Sequence, residues 1–440
     1  MEPIAYLAME IKQRELESRV MIAAHLLKAG VAVFLGQQWG LFGNAKALPP
    51  GVVLFKTVNQ IQARSMEKCR ANGHLVAATD EEVLVCTDDK CFLEVFSPLA
   101  SENCDLFFAQ SDFHREVVER RFPSLRGRTQ TVGNARVDFL SLQRREAFGP
   151  EVQNLTSTYG PYILFNANYA QLNSIWENSK HLLNIAADVG MLNVDDPASV
   201  EEYKAKWNWE RQNRDEMVRL IRWAVDELPD RQIVIRPHPG EVPNFWTDRF
   251  SDCERVHIIP RSNPHPWILG ADMVVHTTCT TGLEAALMDK PVVNLVPVSH
   301  PTFDFITNHV NPSFSTWQSA AAAMSRYFAS GDGPVIEGKE KRASVLNNHF
   351  AMDEKGATAK IADGLIALLQ DYGVSLPISE ITQFRHGGYK SFSRTGVVKE
   401  KFQLEDDELI TRLQSALNSI GAYINVKVQK IDDSLFLLRP

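Results

Sequence analysis

The fold class is indicated by residues 273–287, which read MVVHTTCTTGLEAAL. The first four form a short apolar run, as expected of a strand that is buried on both faces. A hydroxyl-rich segment follows, and an apolar helical pattern begins directly after it. The free N–H groups and the positive end of a helix favour an anion at such a loop. The candidates for contacting a phosphate-containing ligand are therefore His276, Thr277, Thr278, Thr280, Thr281 and Glu284.

Glu284 has two interpretations at this stage. Thr281 and Glu284 fit the S/T-x-x-E capping box, in which the glutamate caps its own helix. The same geometry can also present the carboxylate to a ribose. The sequence leaves both roles open.

Strand–helix alternation continues on both sides of this stretch. In the first half, strands are predicted at residues 4–9, 31–35, 52–55, 74–78, 106–109 and 130–132, and helices at 14–28 and 113–122. In the second half, strands are predicted at 162–165, 232–235, 256–259, 273–276 and 292–295, and helices at 196–227 and 357–369. Such alternation is typical of parallel sheets covered by helices. The expected class is α/β, with two Rossmann-like, doubly wound domains facing a cleft.

The strand–helix alternation predicts three segments. Residues 1–155 form an N-terminal Rossmann-like domain, and residues 156–372 a second, C-terminal Rossmann-like domain. The hinge between them is placed at 148–161, where glycines and prolines cluster. Residues 373–440 form an extension that packs back on the fold. A basic, aromatic stretch within it, 384–394, offers contact with an acceptor or with anionic lipid, although an ordinary packed appendage is the favoured interpretation.

The loop after the strand at 232–235 reads Arg236-Pro237-His238-Pro239-Gly240-Glu241. Prolines on both sides of the histidine hold the backbone extended and rigid. Ligands of doubly wound domains bind at the carboxyl ends of the strands, so the loop can present Arg236, His238 and Pro239 to a phosphate or a sugar carboxylate. Glu241 adds a candidate acid, base or ribose ligand.

Three adjacent carboxylates, Asp80, Glu81 and Glu82, follow the strand at 74–78. Like charges at this spacing repel, so at least one should have a raised pKa if it is buried. A raised pKa suits a general base or a nucleophile in sugar transfer. The alternative is a solvated acidic turn, and the spacing alone does not decide between the two.

Amide and arginine side chains follow two further strands. Asn166 and Asn168 come after the strand at 162–165, where they can contact a base edge or fix a turn. Asn134 and Arg136 come after the strand at 130–132, and Arg136 can face the ligand.

Composition excludes several classes of protein. The 440 residues are 44% hydrophobic and 23% charged, as in ordinary globular chains. A formal charge of -8 disfavours nucleic acid as a partner. No signal-peptide pattern or spanning segment is recognised, so we expect a cytoplasmic protein, with peripheral contact at the inner face of the inner membrane as an alternative. The six cysteines lack the spacing of a zinc site and are expected to be free or buried thiols.

Taken together, the motifs resemble the bacterial surface-carbohydrate biosynthesis proteins. The resemblance runs in one order over roughly residues 4–300. It is carried by Arg14-Glu15-Leu16, Ala78 to Glu82, Gly133 to Asp138, Ile163 to Tyr169, Arg236 to Glu241 and the threonine-rich loop. A looser resemblance extends to bacterial sialyltransferases and capsule Kdo transferases, which carry an acidic motif, a His-Pro motif and a Ser/Thr-rich motif.

This resemblance implies a GT-B glycosyltransferase that takes a 2-keto sugar acid (Kdo, pseudaminic or another nonulosonic acid) from a CMP-activated donor, without a metal or other cofactor. Residues 1–155 would then be the acceptor or catalytic domain, and residues 156–372 the domain that binds the nucleotide-sugar. Asp80, Glu81 or Glu82 would hold the catalytic carboxylate. His238 would contact the CMP phosphate, and residues 277–281 would cradle it. Arg14, Asn134 and Arg136 would contact the acceptor or the sugar. Val83 stands where the family usually has glycine, which leaves the catalytic carboxylate among the three undecided.

The expected partners are thus a nucleotide-sugar donor and a glycan or glycolipid acceptor. Retention of configuration through a glycosyl-enzyme, with Glu241 or the acidic triplet as nucleophile, is weakly preferred. The enzymatic alternative is a UDP-sugar transferase or epimerase. The non-enzymatic alternative is a nucleotide-sugar-binding scaffold of polysaccharide assembly.

Overall fold

The computed structural model describes most of the chain, and all structural statements below concern that part. The described residues are 3–138, 140, 145, 148–174, 187, 192–260, 262–331, 339–373, 390 and 402–440. Except for Lys390, the basic, aromatic stretch at 384–394 lies outside them. Among the described helices, none combines the length and the apolar character that crossing a membrane requires.

The secondary structure alternates as expected. The strands are β1 (Ile4–Met9), β2 (Ala32–Gln37), β3 (Val52–Phe55), β4 (Leu75–Thr79), β5 (Leu106–Ala109), β6 (Thr129–Thr131), β7 (Tyr162–Asn166), β8 (Gln232–Arg236), β9 (Val256–Ile258), β10 (Met273–His276), β11 (Val292–Leu295), β12 (Ser313–Phe314), β13 (Lys427–Asp432) and β14 (Leu435–Arg439). Every strand predicted from the sequence is present, with ends shifted by at most two residues. The strands β12, β13 and β14 were not predicted.

The helices cover both sheets. They are α1 (Lys12–Lys28), α2 (Gln38–Gly43), α3 (Gln60–Ala71), α4 (Asp89–Leu93), α5 (Pro98–Asn103), α6 (Asp112–Arg121), α7 (Ala135–Asp138), α8 (Gly149–Tyr159), α9 (Pro197–Glu227), α10 (Asn244–Arg249), α11 (Pro264–Gly270), α12 (Thr280–Leu287), α13 (Ile306–Val310), α14 (Trp317–Ser330), α15 (Lys339–Phe350), α16 (Ala357–Asp371) and α17 (Asp406–Ser419). Short 3₁₀ turns occur at Pro123–Leu125 and Pro301–Phe303.

The chain divides into two compact units. Unit 1 comprises Met1–Ala147 and Ser344–Pro440, and unit 2 comprises Phe148–Ala343. This division differs from the expected one because residues 344–372 belong to unit 1. Most of the segment expected to be a hinge, 148–161, forms the helix α8. Pro150 lies in the first turn of this helix, and Gly160 ends it with φ 68°.

Unit 1 contains an eight-stranded sheet in the order β13-β14-β2-β1-β3-β4-β5-β6. The strands β1 to β6 are parallel, and the order reverses between β1 and β3. Alternate residues of β1 enter different cores: Ala5, Leu7 and Met9 pack on the α1 side, whereas Ile4, Tyr6 and Ala8 face the other layer. The continuous apolar runs seen in the sequence therefore reflect burial on both faces.

The C-terminal part of the chain completes unit 1. The strand β14 pairs antiparallel with β2, placing Leu437 opposite Phe34, and β13 pairs with β14 at the edge. The helices α16 and α17 share a buried apolar cluster with α1, to which Leu365 and Leu413 contribute. The helix predicted at 357–369 was expected in the second domain, with a return to the first as an alternative, and it lies in unit 1.

The turn after β6 anchors the returning chain. Gly133 has φ 92°, and a β-carbon there would lie 2.6 Å from the Phe350 carbonyl oxygen, so only glycine fits. The Asp138 carboxylate caps the start of α16. It accepts hydrogen bonds from the Ala357 and Thr358 N–H groups at 2.9 and 2.7 Å and from the Thr358 hydroxyl at 2.7 Å. The 133–138 motif thus binds the segment that follows unit 2 in the sequence.

Unit 2 contains a fully parallel, six-stranded sheet in the order β12-β11-β10-β7-β8-β9. The order reverses between β7 and β10, as in a doubly wound Rossmann domain. Its core is built from β7, β8, β10 and β11 together with α9, α10 and α14, and the fully buried Trp246 is its largest side chain.

One expectation about the cysteines is wrong. Cys86, in the loop after β4, forms a disulfide with Cys91 of α4. Their separation of five residues does not match a zinc site, and it does not by itself indicate a disulfide. Cys69, Cys104, Cys253 and Cys279 are thiols outside any disulfide, as expected.

The capping of α16 provides a test of how the returning chain is anchored. We expect Asp138→Ala to lower the free energy of unfolding by about 1–3 kcal/mol, because three donors lose their acceptor. Urea denaturation of the full chain measures the change. The control is Asp371→Ala at the exposed end of the same helix, which should differ little from the natural chain. An equal effect of both variants would contradict the anchoring role.

Candidate functional site

A buried network of charges occupies the carboxyl ends of β1, β3 and β4 in unit 1. Arg19 of α1 has no solvent exposure, donates from Nε to the Ala8 carbonyl at 3.1 Å and forms an ion pair with Glu81 at 2.7 Å. Burial alone would raise the pKa of Glu81, but the charges of Arg19, Lys56 and Arg136 outweigh it and lower that pKa. Glu81 is therefore a charged, paired carboxylate.

Lys56, directly after β3, holds the remaining glutamates of this network. Its Nζ lies 2.8 Å from Glu10, 3.5 Å from Glu15 and 3.6 Å from Glu82. Burial would lower the pKa of Lys56, but these carboxylates outweigh it and raise that pKa. Burial raises the pKa of Glu15, whose oxygens also accept the N–H groups of Glu10 and Ile11 at the start of α1.

Asp80 is the member of the acidic triplet that has no cationic partner in this network. It is 3% exposed, and its Oδ1 accepts from the Thr57 hydroxyl at 3.0 Å and from the Glu82 N–H at 3.3 Å. Burial, reinforced by the charge of Glu82, raises the pKa of Asp80 to about 7. The prediction that one carboxylate of the triplet has a raised pKa is confirmed. Glu82, with 55% of its side chain exposed, is the solvated member.

The other predicted residues of unit 1 are placed differently. Arg136 is half-buried in α7, and its charge contributes to the low pKa of Glu81. Asn134 is buried, and its Oδ1 accepts the Arg136 N–H at 3.0 Å, so it fixes the turn. Arg14 is exposed on α1. The structure thus associates Arg136 with the acidic triplet and gives Asn134 a structural contact.

In unit 2, three predicted residues stand side by side where the strand order reverses. Asn166 ends β7, and it is in register with Arg236 at the end of β8 and His276 at the end of β10. Asn166 is 3% exposed, and within the described part of the chain its amide oxygen and nitrogen have no hydrogen-bond partner. An unsatisfied buried polar group costs about 1–3 kcal/mol, so this position favours a polar ligand.

The His-Pro loop after β8 is rigid for a reason beyond its prolines. The Gly240 N–H donates to Nδ1 of His238 at 3.0 Å, so the neutral ring carries its proton on Nε2. Arg236 is nearly buried and donates to the backbone carbonyl and the hydroxyl of Ser262. Burial lowers the pKa of Arg236 to about 10, although the nearby charge of Glu284 opposes this shift. Pro239 is exposed at the tip of the loop.

The threonine-rich loop after β10 is held by its neighbours. Thr278 has φ 41°, which is unusual for a β-branched residue. Its N–H donates to Asn294 at 2.9 Å, and its hydroxyl donates to Asn308 at 3.1 Å. The Thr277 hydroxyl is fully buried against the Tyr169 hydroxyl at 2.9 Å. Two of the predicted hydroxyls are therefore engaged within the protein.

The remaining threonines lie at the start of α12. Thr280 and Thr281 are half-buried, and the Thr281 hydroxyl donates to Cys279 Sγ at 3.2 Å. Asn168, which follows β7, donates to the Thr278 carbonyl at 3.4 Å. These residues thus lie together at the helix start, where predicted.

The capping-box interpretation of Glu284 is wrong. The helix α12 begins after Cys279 without a side-chain cap, and the Glu284 carboxylate instead lies 3.6 Å from Nε2 of His265. Glu284 is 2% exposed and its charge acts on Arg236. His265 was missed in the sequence, because nothing local distinguishes a histidine in the first turn of α11.

His276 is in register with Asn166 and Arg236, and it also has a structural role beneath α12. A β-carbon on Gly282 would lie 2.1 Å from its ring Nε2, so the glycine makes room for the imidazole under α12. Its Nδ1 accepts the Cys279 N–H at 3.2 Å. Burial lowers the pKa of His276 to about 3, so the ring is neutral at physiological pH. Within the described ranges, no group of three or more His, Cys, Asp or Glu residues could hold a metal ion.

Comparison with known proteins identifies the fold. No protein-family model matches the chain, and no curated protein matches it. A UDP-N-acetylglucosamine 2-epimerase structure is similar with a TM-score of 0.52 at 12% identity, covering 84% of this chain and 96% of that chain. The Staphylococcus aureus MnaA structure with UDP has a TM-score of 0.51 at 12% identity, covering 86% and 98%.

A third similarity is to a variant of the wall teichoic acid polymerase TagF. Its TM-score is 0.51 at 11% identity, covering 84% of this chain and 90% of that chain. At these identities the similarities establish the fold alone. The chain has the GT-B-type fold, with two Rossmann-like parallel sheets covered by helices.

The raised pKa of Asp80 predicts how stability depends on pH. The ordinary pKa of 3.8 rises to about 7 on folding, so the unfolded chain releases this proton at lower pH than the folded one. Between these values the folded protein loses stability as pH rises. Replacing Asp80 with Asn removes that loss and keeps an acceptor for Thr57. We therefore expect the difference in melting temperature, D80N minus the natural chain, to increase from pH 4 to pH 7 and then to stay level.

Thermal denaturation across this pH range measures the difference. The control is Asp371→Asn, which changes an exposed carboxylate of the same unit and should give a flat difference. A flat difference for D80N as well would show that Asp80 is ionised at its ordinary pKa.

Proposed function

We propose that this chain is a nucleotide-sugar enzyme of surface-carbohydrate synthesis that acts on a UDP-sugar, as an epimerase or a transferase. The observation that carries the proposal is the row of Asn166, Arg236 and His276 at the strand-order reversal of unit 2. Doubly wound domains bind nucleotides at this position. Support for UDP comes from fold neighbours whose names include UDP-N-acetylglucosamine 2-epimerase and a complex with UDP.

The phosphate site proposed in unit 2 combines three kinds of donor. His238 offers an Nε2–H, since Nδ1 is already occupied by the Gly240 N–H. Arg236 carries a positive charge at the end of β8, and its Nε has no hydrogen-bond partner among the described residues. The start of α12, with Thr280 and Thr281, adds free backbone N–H groups. Preorganised donors of this kind stabilise the charge that develops on a leaving phosphate.

Asp80 is the proposed proton-transfer group. A carboxyl with a pKa of about 7 is protonated and ionised in comparable amounts at neutral pH, as acid–base catalysis requires. In an epimerase, its carboxylate takes the proton from the sugar carbon that inverts, and the electron pair left behind forms a carbon–carbon double bond as the bond between sugar and phosphate breaks. In a transferase, it takes the proton of the acceptor hydroxyl while the bond between sugar and phosphate breaks. Glu81, already paired with Arg19, is proposed to hold the loop.

A second candidate function is transfer of a 2-keto sugar acid from a CMP-activated donor. It is favoured by the resemblance of the acidic triplet, the His-Pro loop and the threonine-rich loop to surface-carbohydrate biosynthesis proteins. The same phosphate site and the same carboxyl would serve this reaction. The two candidates differ in the nucleotide and in the presence of a carboxylate on the sugar.

Nucleotide binding separates the candidates. A ligand that binds only the folded state stabilises it by about 2.7 kcal/mol at a hundredfold excess over Kd. We expect UDP to raise the melting temperature, and CMP, CDP and GDP to raise it less. Thermal-shift titrations with the four nucleotides measure this. A shift in melting temperature with CMP alone would favour the second candidate, transfer of a 2-keto sugar acid. No shift with any of the four nucleotides would contradict a nucleotide-sugar enzyme.

The proposed roles of Asp80 and His238 predict that two variants both lose turnover but differ in UDP binding. Asp80→Asn should lower kcat by about 10²–10⁴ and leave the UDP-dependent shift in place, because it removes proton transfer only. His238→Ala should weaken the UDP-dependent shift as well as turnover. Turnover is assayed with UDP-N-acetylglucosamine, and Asp371→Asn is the control that keeps it. Unchanged turnover in D80N would exclude Asp80 as the proton-transfer group.

A further inference from the structure

A single buried carboxylate, Glu241, connects the loops that follow β7 and β8. Its Oε1 accepts the Tyr169 N–H at 3.0 Å and the His238 N–H at 3.1 Å. Its Oε2 accepts the indole N–H of Trp246 at 3.0 Å and the Asn173 amide at 3.3 Å. These donors belong to three separate elements, and Glu241 is only 3% exposed.

The four hydrogen bonds bear on the expectation that Glu241 is a nucleophile. A carboxylate offers about four lone-pair positions, and here each oxygen already accepts two donors. Attack on a sugar carbon requires a lone pair directed at the substrate and access to it. The contacts of Glu241 therefore fit holding a loop and do not fit covalent catalysis.

Tyr169 extends the connection to the loop after β10. Its backbone N–H is bound by Glu241, while its hydroxyl contacts the Thr277 hydroxyl at 2.9 Å. Tyr169 is fully buried, and burial raises the pKa of its hydroxyl, which stays protonated. One carboxylate and one phenol thus join the three loops that carry His238, Asn168 and Thr277.

We propose that Glu241 is the positioning residue of His238, and that Tyr169, which contacts both Glu241 and Thr277, helps to position the threonine-rich loop. Glu241 fixes the backbone of His238, and the Gly240 N–H then fixes the ring so that Nε2–H points away from the loop backbone. The role of this proton toward a phosphate rests on the proposed function. The fixed ring is a property of the protein alone and can be tested without any substrate.

The test replaces one carboxylate oxygen of Glu241 with an NH₂ group, which converts the side chain to an amide. In Glu241→Gln the new NH₂ group faces two donors and cannot accept from them, so two of the four hydrogen bonds are lost and the loop loosens. Histidine labelled with ¹⁵N reports the tautomer, and the His238 signals are assigned by their disappearance in His238→Gln. We expect the Nε2–H tautomer in the natural chain and averaged signals in E241Q, together with at least a tenfold increase in the Kd for UDP.

Two further variants complete the design. Tyr169→Phe keeps the bond to Glu241 and removes the hydroxyl, so the His238 signals should stay while UDP binding weakens. Glu254→Gln, an exposed carboxylate of the same unit, is the matched control and should change neither. If E241Q does not fold, Glu241→Asp is measured in the same way, because it keeps the charge but shortens the reach.

The outcomes separate this inference from the proposed function. Unchanged His238 signals in a folded E241Q would overturn the positioning role, and lost turnover with unchanged signals would restore Glu241 as a nucleophile. Failure of UDP to bind the natural chain would contradict the proposed function, but the His238 signals would still decide the role of Glu241.

Discussion

The buried pairing of Arg19 with Glu81 sets the chemistry of the acidic triplet. A charge without access to water needs a partner, and removing one partner of a buried pair costs about 3–5 kcal/mol. Because Arg19 compensates Glu81 and Lys56 attracts Glu82, Asp80 is left with a hydroxyl and a backbone N–H. Three adjacent carboxyls thereby acquire three different environments. Divergence of this kind is how proteins assign acid and base roles to chemically identical groups.

Much of the fold follows from the sequence, because parallel strands buried on both faces leave continuous apolar runs. The runs at 52–55, 106–109 and 292–295 matched strands without any shift. The order of strands within each sheet is set by long-range pairing and has no local signal. The edge strand β13 reads KVQKID, in which only Val428 and Ile431 are apolar, so it has no apolar run that would predict a strand. The same limitation applies to the return of α16 to unit 1, which depends on the contact between Asp138 and the start of that helix.

For the candidate site, the sequence identified positions better than roles. The residues at strand ends lie where parallel topology places them, and Asn166, Arg236 and His276 came together in one row. Roles depend on partners that are distant in sequence. Glu284 matches a capping box in spacing, yet its carboxylate lies beside His265, and Glu241 contacts donors up to 72 residues away. Cys86 and Cys91 show the same limitation at short range, since a spacing alone does not distinguish a disulfide from two thiols.

The pairing of β14 with β2 has a consequence for synthesis of the protein on the ribosome. Unit 2 is one continuous segment, so all of its strands have emerged before the last part of the chain is translated. The parallel strands β1 to β6 of unit 1 precede unit 2 in the sequence, but β2 receives its outer neighbour, β14, only after unit 2 has been translated. Until then β2 presents an open edge, which is a template for unwanted pairing. The order of translation therefore makes unit 2 the earlier of the two to mature, and unit 1 is closed only once β14 has been made.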